Sequence, residues 1–176
     1  MSNKQPVLNY YELSSDVTAF STTRHGGVSD GNYASLNINE YCGDSKDNTD
    51  TNRQLLATEL DIDANHIIMP HQTHGVETRI IGKEFLSLPK SVKKMLLEGV
   101  DAVMTDIQGI CIGVSTADCI PVLLYDEEHH AAAAIHAGWR GTLARIVHKT
   151  IQEMRIAYQT EPCLLYTSPS PRDKRQ

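Results

Sequence analysis

The chain has 176 residues, 22 acidic and 16 basic side chains and a formal net charge of -6. That length supports one domain with a sizeable core, and the negative balance argues against a nucleic-acid partner or an anionic membrane surface. No apolar run approaches the roughly 20 residues of a spanning helix.

The opening Met1-Ser2-Asn3-Lys4-Gln5-Pro6 lacks the apolar stretch of a signal peptide, so a cytoplasmic location is the expectation. The four cysteines, Cys42, Cys111, Cys119 and Cys163, form no CxxC pair. In a reducing compartment such cysteines are free thiols or a metal ligand.

Residues 17–22 read as a β-strand running into Thr23-Arg24-His25-Gly26-Gly27-Val28-Ser29. Two glycines beside an arginine suit a turn whose amides approach an anion, or equally an ordinary glycine turn with a solvated arginine. Residues 35–39 are short and extended. A helix beginning near Asp47 to Thr51 carries Leu55, Leu56 and Leu60 on one face, with Asn52 and Arg53 in its first turns. An arginine so early in a helix opposes the macrodipole, which hints at another partner for Arg53.

His66 to Pro70 reads as a strand, followed by His71-Gln72-Thr73-His74-Gly75 and a second strand over residues 76–81. In an extended segment the odd spacing sends His71 and His74 to opposite faces, so at most one is a metal ligand. His74 is preferred because Gly75 permits close backbone approach. Residues 85–99 are amphipathic and read as a helix over one edge, packed or lid-like. Residues 100–105 and 110–115 read as two strands, with Cys111 a core thiol.

Thr116-Ala117-Asp118-Cys119-Ile120-Pro121 then leads to two apolar runs separated by a polar turn at 126–130, the second ending in His136-Ala137-Gly138-Trp139-Arg140-Gly141. Adjacent strands bring Cys119 and His136 to neighbouring ends of one sheet. Such a pair is a nucleophile with its base or two ligands of a metal. Thr142 reads as the cap of a helix whose stripe is Leu143, Ile146, Val147, Ile151, Met154 and Tyr158. From Cys163 onward the chain has two prolines and no periodicity and reads as an unstructured or foreign tail over 163–176. The preceding residues 1–162 read as a single domain.

Seven ordered motifs carry a resemblance: residues 20–29, Ser35-Leu36-Asn37 with Gly43-Asp44, Asn52-Arg53, Gln72-Thr73-His74-Gly75, Asp101-Ala102, Thr116-Ala117-Asp118-Cys119, and His136 to Gly141. Over about residues 17 to 160 the chain resembles the laccase-domain family, named for multicopper polyphenol oxidase and made up of zinc-dependent purine nucleoside phosphorylases. The resemblance implies an α/β (α+β) layered sandwich of mixed β-sheets with flanking helices. It implies a catalytic zinc held by His74, Cys119 and His136, and phosphate binding by Arg24, Arg53 and the Gly26-Gly27 amides. It also implies phosphorolysis of adenosine, inosine, guanosine and methylthioadenosine, together with adenosine deamination.

A His, Cys, His set leaves a fourth position open, the pattern of a catalytic rather than a structural zinc, and its chemistry is similar to that of the zinc deaminases. His25, His71 and Asp118 are the acid/base candidates. Alternating strand geometry would turn Asp118 away from Cys119, towards an amide behind the ligands or towards Arg140. Purine nucleosides and phosphate are the expected partners of a monomer, with no nucleic acid and no membrane. The departure is at residues 163–176, where family members continue with further structure; a truncated or chimeric chain is the expectation.

Three rival readings stay open. Copper-dependent phenol oxidation needs several HxH motifs, and the eight histidines form none. A cysteine hydrolase would use Cys119 as nucleophile and His136 as base. An inactive zinc-binding relative would bind adenosine without turnover.

Overall fold

The structure is a computed structural model that describes residues 5–161 and, as backbone, 164–167. In chain order the elements are β1 Leu8–Ser14, β2 Val17–Thr22, α1 Lys46–Glu59, β3 Ile67–Ile68, β4 Glu77–Ile80, α2 Lys83–Ser87, α3 Lys90–Leu96, β5 Val100–Thr105, β6 Cys111–Ile112, β7 Ile120–Asp126, β8 Ala131–Ala137, α4 Trp139–Leu143, α5 Ile146–Tyr158 and β9 Leu164–Thr167. The fold is mixed α/β. Two strand pairs, β1-β2 and β3-β6, accompany a five-stranded sheet of order β4-β5-β8-β7-β9. The chain clusters into two compact units, one drawn mostly from residues 18–67 and the other from 68–108 and 112 onward.

In the first unit α1 buries Thr49, Asn52, Leu56 and Ala57. That face is half polar, which differs from the leucine stripe expected of this helix. Asn52, wholly buried, explains the difference. Its Oδ1 accepts from the Val28 amide at 2.8 Å, and its Nδ2 donates to Ser29 Oγ at 2.9 Å and to the Asn37 carbonyl at 2.8 Å. Ser29 Oγ in turn donates to Asp44 at 2.6 Å, and Asn37 Nδ2 donates to the same carboxylate oxygen at 2.9 Å. One buried amide therefore gathers the 24–29 loop and the 35–37 segment, and through Ser29 and Asn37 also Asp44.

In the second unit β5 is buried at every position, as a strand covered on both faces must be. It pairs in parallel with β4, and a parallel pair needs a crossover, which α2 and α3 supply. The single amphipathic helix expected over 85–99 is two helices, because Pro89 cannot donate within a helix and sits where α3 begins. They are packed down: Lys93 donates to the Leu86 carbonyl at 2.8 Å and Arg79 to that of Leu96 at 3.1 Å. The remaining pairs of the sheet are antiparallel.

Alternate residues of three strands, Ala102 and Met104, Val122 and Leu124, and Ala133, Ile135 and Ala137, meet Ile146 and Met154 of α5 in one buried cluster. Burial on this scale supplies about 25 cal/mol per Å² and fixes which sheet face α5 covers. The run expected to be one Thr142-capped helix breaks at Arg145, whose left-handed φ of 62° separates α4 from α5. Thr142 lies inside α4, and Leu143, expected in the core, is 76% exposed.

The strand expected over 110–115 is only β6, and it stands outside the large sheet. Leu164–Thr167, expected within an unstructured tail, is strand β9, paired antiparallel to β7. The backbone groups along that edge of β7 need partners, and Leu-Leu-Tyr-Thr is a β-prone segment. The rest of the expected tail, 163 and 168–176, lies outside the described residues.

Candidate metal centre

Strand register builds the site. Ala102 faces Ile135 across the β5-β8 pair, so one residue further Asp101 stands opposite His136. Both belong to the sheet face opposite α5. His136 and Asp101 are buried, and His136 Nδ1 lies 2.7 Å from Asp101 Oδ1. Across β7-β8, Ile120 faces Ala137, so Cys119 falls opposite Gly138. Cys119 sits in a bend just before β7, closed by the Thr116 hydroxyl donating to its carbonyl.

The third arm comes from the loop after β3. Gln72 clamps that loop to the 115–119 segment as a strand neighbour would: its Nε2 donates to the Ser115 carbonyl at 2.8 Å and its Oε1 accepts the Ser115 amide at 2.6 Å. His74 then adopts the left-handed region, φ 64°, which is uncommon for a residue with a Cβ. Asp101 stabilises this turn by accepting the amides of Thr73, His74 and Gly75 at 3.2, 3.0 and 2.7 Å.

His74, Cys119 and His136 thereby converge. Their ligand atoms all lie within 4.8 Å of one another, and among the described residues they form the one such group of His, Cys, Asp or Glu. The two imidazoles meet edge to face, centroids 4.7 Å apart. Gly138 floors the group: a Cβ there would stand 3.0 Å from His74 Cδ2 and 3.4 Å from both Cys119 Sγ and His136 Cε1. His74 is exposed, Cys119 intermediate and His136 buried, so the group opens on one side.

The donor set fits a divalent metal. Tetrahedral zinc with bonds of about 2.0–2.3 Å places its donors roughly 3.5 Å apart, little more than about 1 Å tighter than the widest separation here. Burial pushes the Cys119 thiol up, and the Asp118 carboxylate and then Asp101 push it further, so a cation at this point would favour its thiolate.

The acid/base candidates occupy different surroundings. Asp118 Oδ1 lies 3.9 Å from Cys119 Sγ, so it is beside the thiol, not turned away from it; the bend replaces the strand alternation expected there. His71 binds Glu98 Oε1 through Nδ1 at 2.8 Å and stays outside the three-residue group. Arg140 lies over the Trp139 ring at 5.2 Å.

His25 is exposed in the first unit. There Arg24 Nε donates to the Ala34 carbonyl at 2.8 Å, and Arg53 donates to the Ile67 carbonyl, the partner its early helix position hinted at. Gly26 and Gly27 serve close packing: a Cβ on Gly26 would stand 1.8 Å from the Gln5 carbonyl oxygen, and one on Gly27 2.2 Å from that of Ser35. Cys111, expected as a core thiol, is only half-buried in β6, though burial pushes its thiol up to about 11. Asp101 and Gln72 were motif letters without a role in the sequence; only strand register and loop contact reveal what they hold.

Residues 18–174 match the family model described as multi-copper polyphenol oxidoreductase laccase. A purine nucleoside phosphorylase of Bacteroides thetaiotaomicron is 44% identical over 156 residues, 88% of this chain and 58% of that protein. The adenosine deaminase RL5 of an unknown prokaryotic organism is 41% identical over 149 residues, 84% of this chain and 56% of its own length. The crystal structure of YlmD from Geobacillus stearothermophilus superposes with a TM-score of 0.76 at 28% identity, covering 85% of this chain and 56% of that one. The chain thus spans a little over half the length of these relatives. No helix among the described residues is long and apolar enough to cross a membrane. The chain belongs to the multi-copper polyphenol oxidoreductase laccase family.

Proposed function

We propose that the chain is a zinc-dependent purine nucleoside phosphorylase with adenosine deaminase activity. The observation that carries the proposal is the convergence of His74, Cys119 and His136 on one open-sided point. The names of two relatives, one a phosphorylase and one a deaminase, support the substrate class. A bound zinc would supply a Lewis acid able to activate water or polarise a substrate oxygen.

The chain's own groups supply the rest. Asp101 keeps the His136 ring oriented. Asp118, exposed beside Cys119, is the carboxylate placed to hold and pass a proton when water replaces the amino group of adenosine and ammonia leaves. In phosphorolysis, phosphate takes the sugar and the purine departs with a proton, for which His71 and His25 are the donors to test. Arg24 and Arg53 are assigned to the phosphate, as planar guanidinium groups suited to bidentate contact; each has five N–H donors, of which the carbonyl contacts above use one. Copper is the alternative metal, since a thiolate and two imidazoles suit it as well.

A second reading has one observation in its favour. Cys119, His136 and Asp101 follow the order of a thiol, a base and an orienting carboxylate. Against it, the Cys119 pKa is raised, whereas a nucleophilic cysteine needs it lowered. The deciding experiment is metal analysis joined to a product assay on adenosine with and without phosphate. Zinc near one per chain, with loss of both metal and turnover in His74→Ala and Cys119→Ala, supports the proposal. Undiminished turnover in metal-free protein rejects it.

A further inference from the structure

We propose that Asp101 is the positioning residue of the centre, one carboxylate that sets both the tautomer of His136 and the backbone shape that delivers His74. The inference rests on the metal reading above. Asp101 is completely buried, a costly place for a carboxylate unless its oxygens are fully used. They are: Oδ1 accepts from His136 Nδ1 at 2.7 Å and the His74 amide at 3.0 Å, and Oδ2 from the amides of Gly75 at 2.7 Å and Thr73 at 3.2 Å.

A carboxylate only accepts, so the proton of neutral His136 must sit on Nδ1, leaving the Nε2 lone pair as the ligand. The same anion rests in a nest of three successive amides. That nest offsets the strain of the left-handed His74, φ 64°. Two ligands 62 residues apart in sequence, numbers 74 and 136, are therefore fixed by one group.

Asp101→Asn preserves size but turns one acceptor oxygen into a donor facing N–H groups. Zinc affinity, measured by chelator competition without substrate, falls about 10- to 100-fold. The visible bands of the cobalt-substituted protein change in position or intensity, while the circular dichroism of the metal-free variant matches the wild type. Nitrogen-15 correlation spectra of the zinc-loaded wild type test the idea without any variant: His136 shows a protonated Nδ1 and a metal-bound Nε2. A His136 bound through Nδ1, or a folded Asp101→Asn protein with unchanged zinc affinity and cobalt spectrum, overturns the role. Wild-type protein that takes up neither metal rejects the metal reading itself, a different result from either of these.

Discussion

The backbone at Gly138 passes His74 so closely that a single added carbon would stand 3.0 Å from the ring's Cδ2. Gly138 has an ordinary extended conformation, φ -69° and ψ 167°, so room and not torsion demands glycine here. Gly138→Ala must displace at least one ligand by a few tenths of an ångström, a large part of the about 0.5 Å within which such sites must be held. The expected result is roughly tenfold weaker zinc binding by chelator competition, with the unfolding midpoint of the metal-free protein close to wild type. Zinc affinity equal to wild type would show that the glycine is not part of the site.

The three described cysteines should react differently with iodoacetamide. Cys42 is exposed and labels readily at pH 8. Burial holds the Cys111 thiol at about 11, so its thiolate fraction, and with it the labelling rate, rises about tenfold per pH unit until pH nears that value. Cys119 labels in metal-free protein and is protected by saturating zinc. Peptide mapping by mass spectrometry reads all three. Cys119 labelling that persists under saturating zinc would move the balance to the hydrolase reading.

Much of the second unit was legible in sequence because its signals are local. The apolar runs of β5, β7 and β8 mark buried strands, and the polar turn between β7 and β8 places Cys119 and His136 at one end of a hairpin. What was not legible depends on register or on single torsions. Asp101 lies 35 positions before His136 in the numbering, and their contact follows only once β5 is known to pair with β8. The break at Arg145 is one residue's φ, which no apolar stripe reports. Asn52 was legible as a motif letter in the first turns of a helix, but its loop partners Val28, Ser29 and Asn37 show only in the fold.

That amide carries the next prediction. Asn52→Ala leaves the half-buried Val28 amide without its acceptor and removes the donor to Ser29 and Asn37. Leaving buried polar groups unpaired costs about 1–3 kcal/mol each, so a loss of about 2–4 kcal/mol is expected in urea denaturation. Asn52→Asp, which turns the donor into a buried carboxylate oxygen facing the Asn37 carbonyl, should cost at least as much as the alanine. An Asn52→Ala protein as stable as wild type would mean the first unit is not organised around this residue.

The turn between β7 and β8 sets an acid limit on stability. Asp126 is buried there, its Oδ1 accepting the amides of Glu128 and His129 at 3.0 and 3.2 Å and its Oδ2 lying 2.8 Å from His129 Nδ1. Burial pushes this carboxyl up, but the Thr160 hydroxyl beside it, the His129 ring and the two amides together pull it below the ordinary 3.8. A carboxyl whose pKa is lower folded than unfolded favours the native state wherever it is ionised. Its contribution is complete above the unfolded value and drains away as pH falls through the folded one. Asp126→Asn should therefore cost about 1–3 kcal/mol at pH 7, and the gap to wild type should narrow below about pH 4. Urea midpoints of both proteins at pH 7 and pH 3 measure this. A gap of equal size at both values would assign the role of Asp126 to packing and not to its charge.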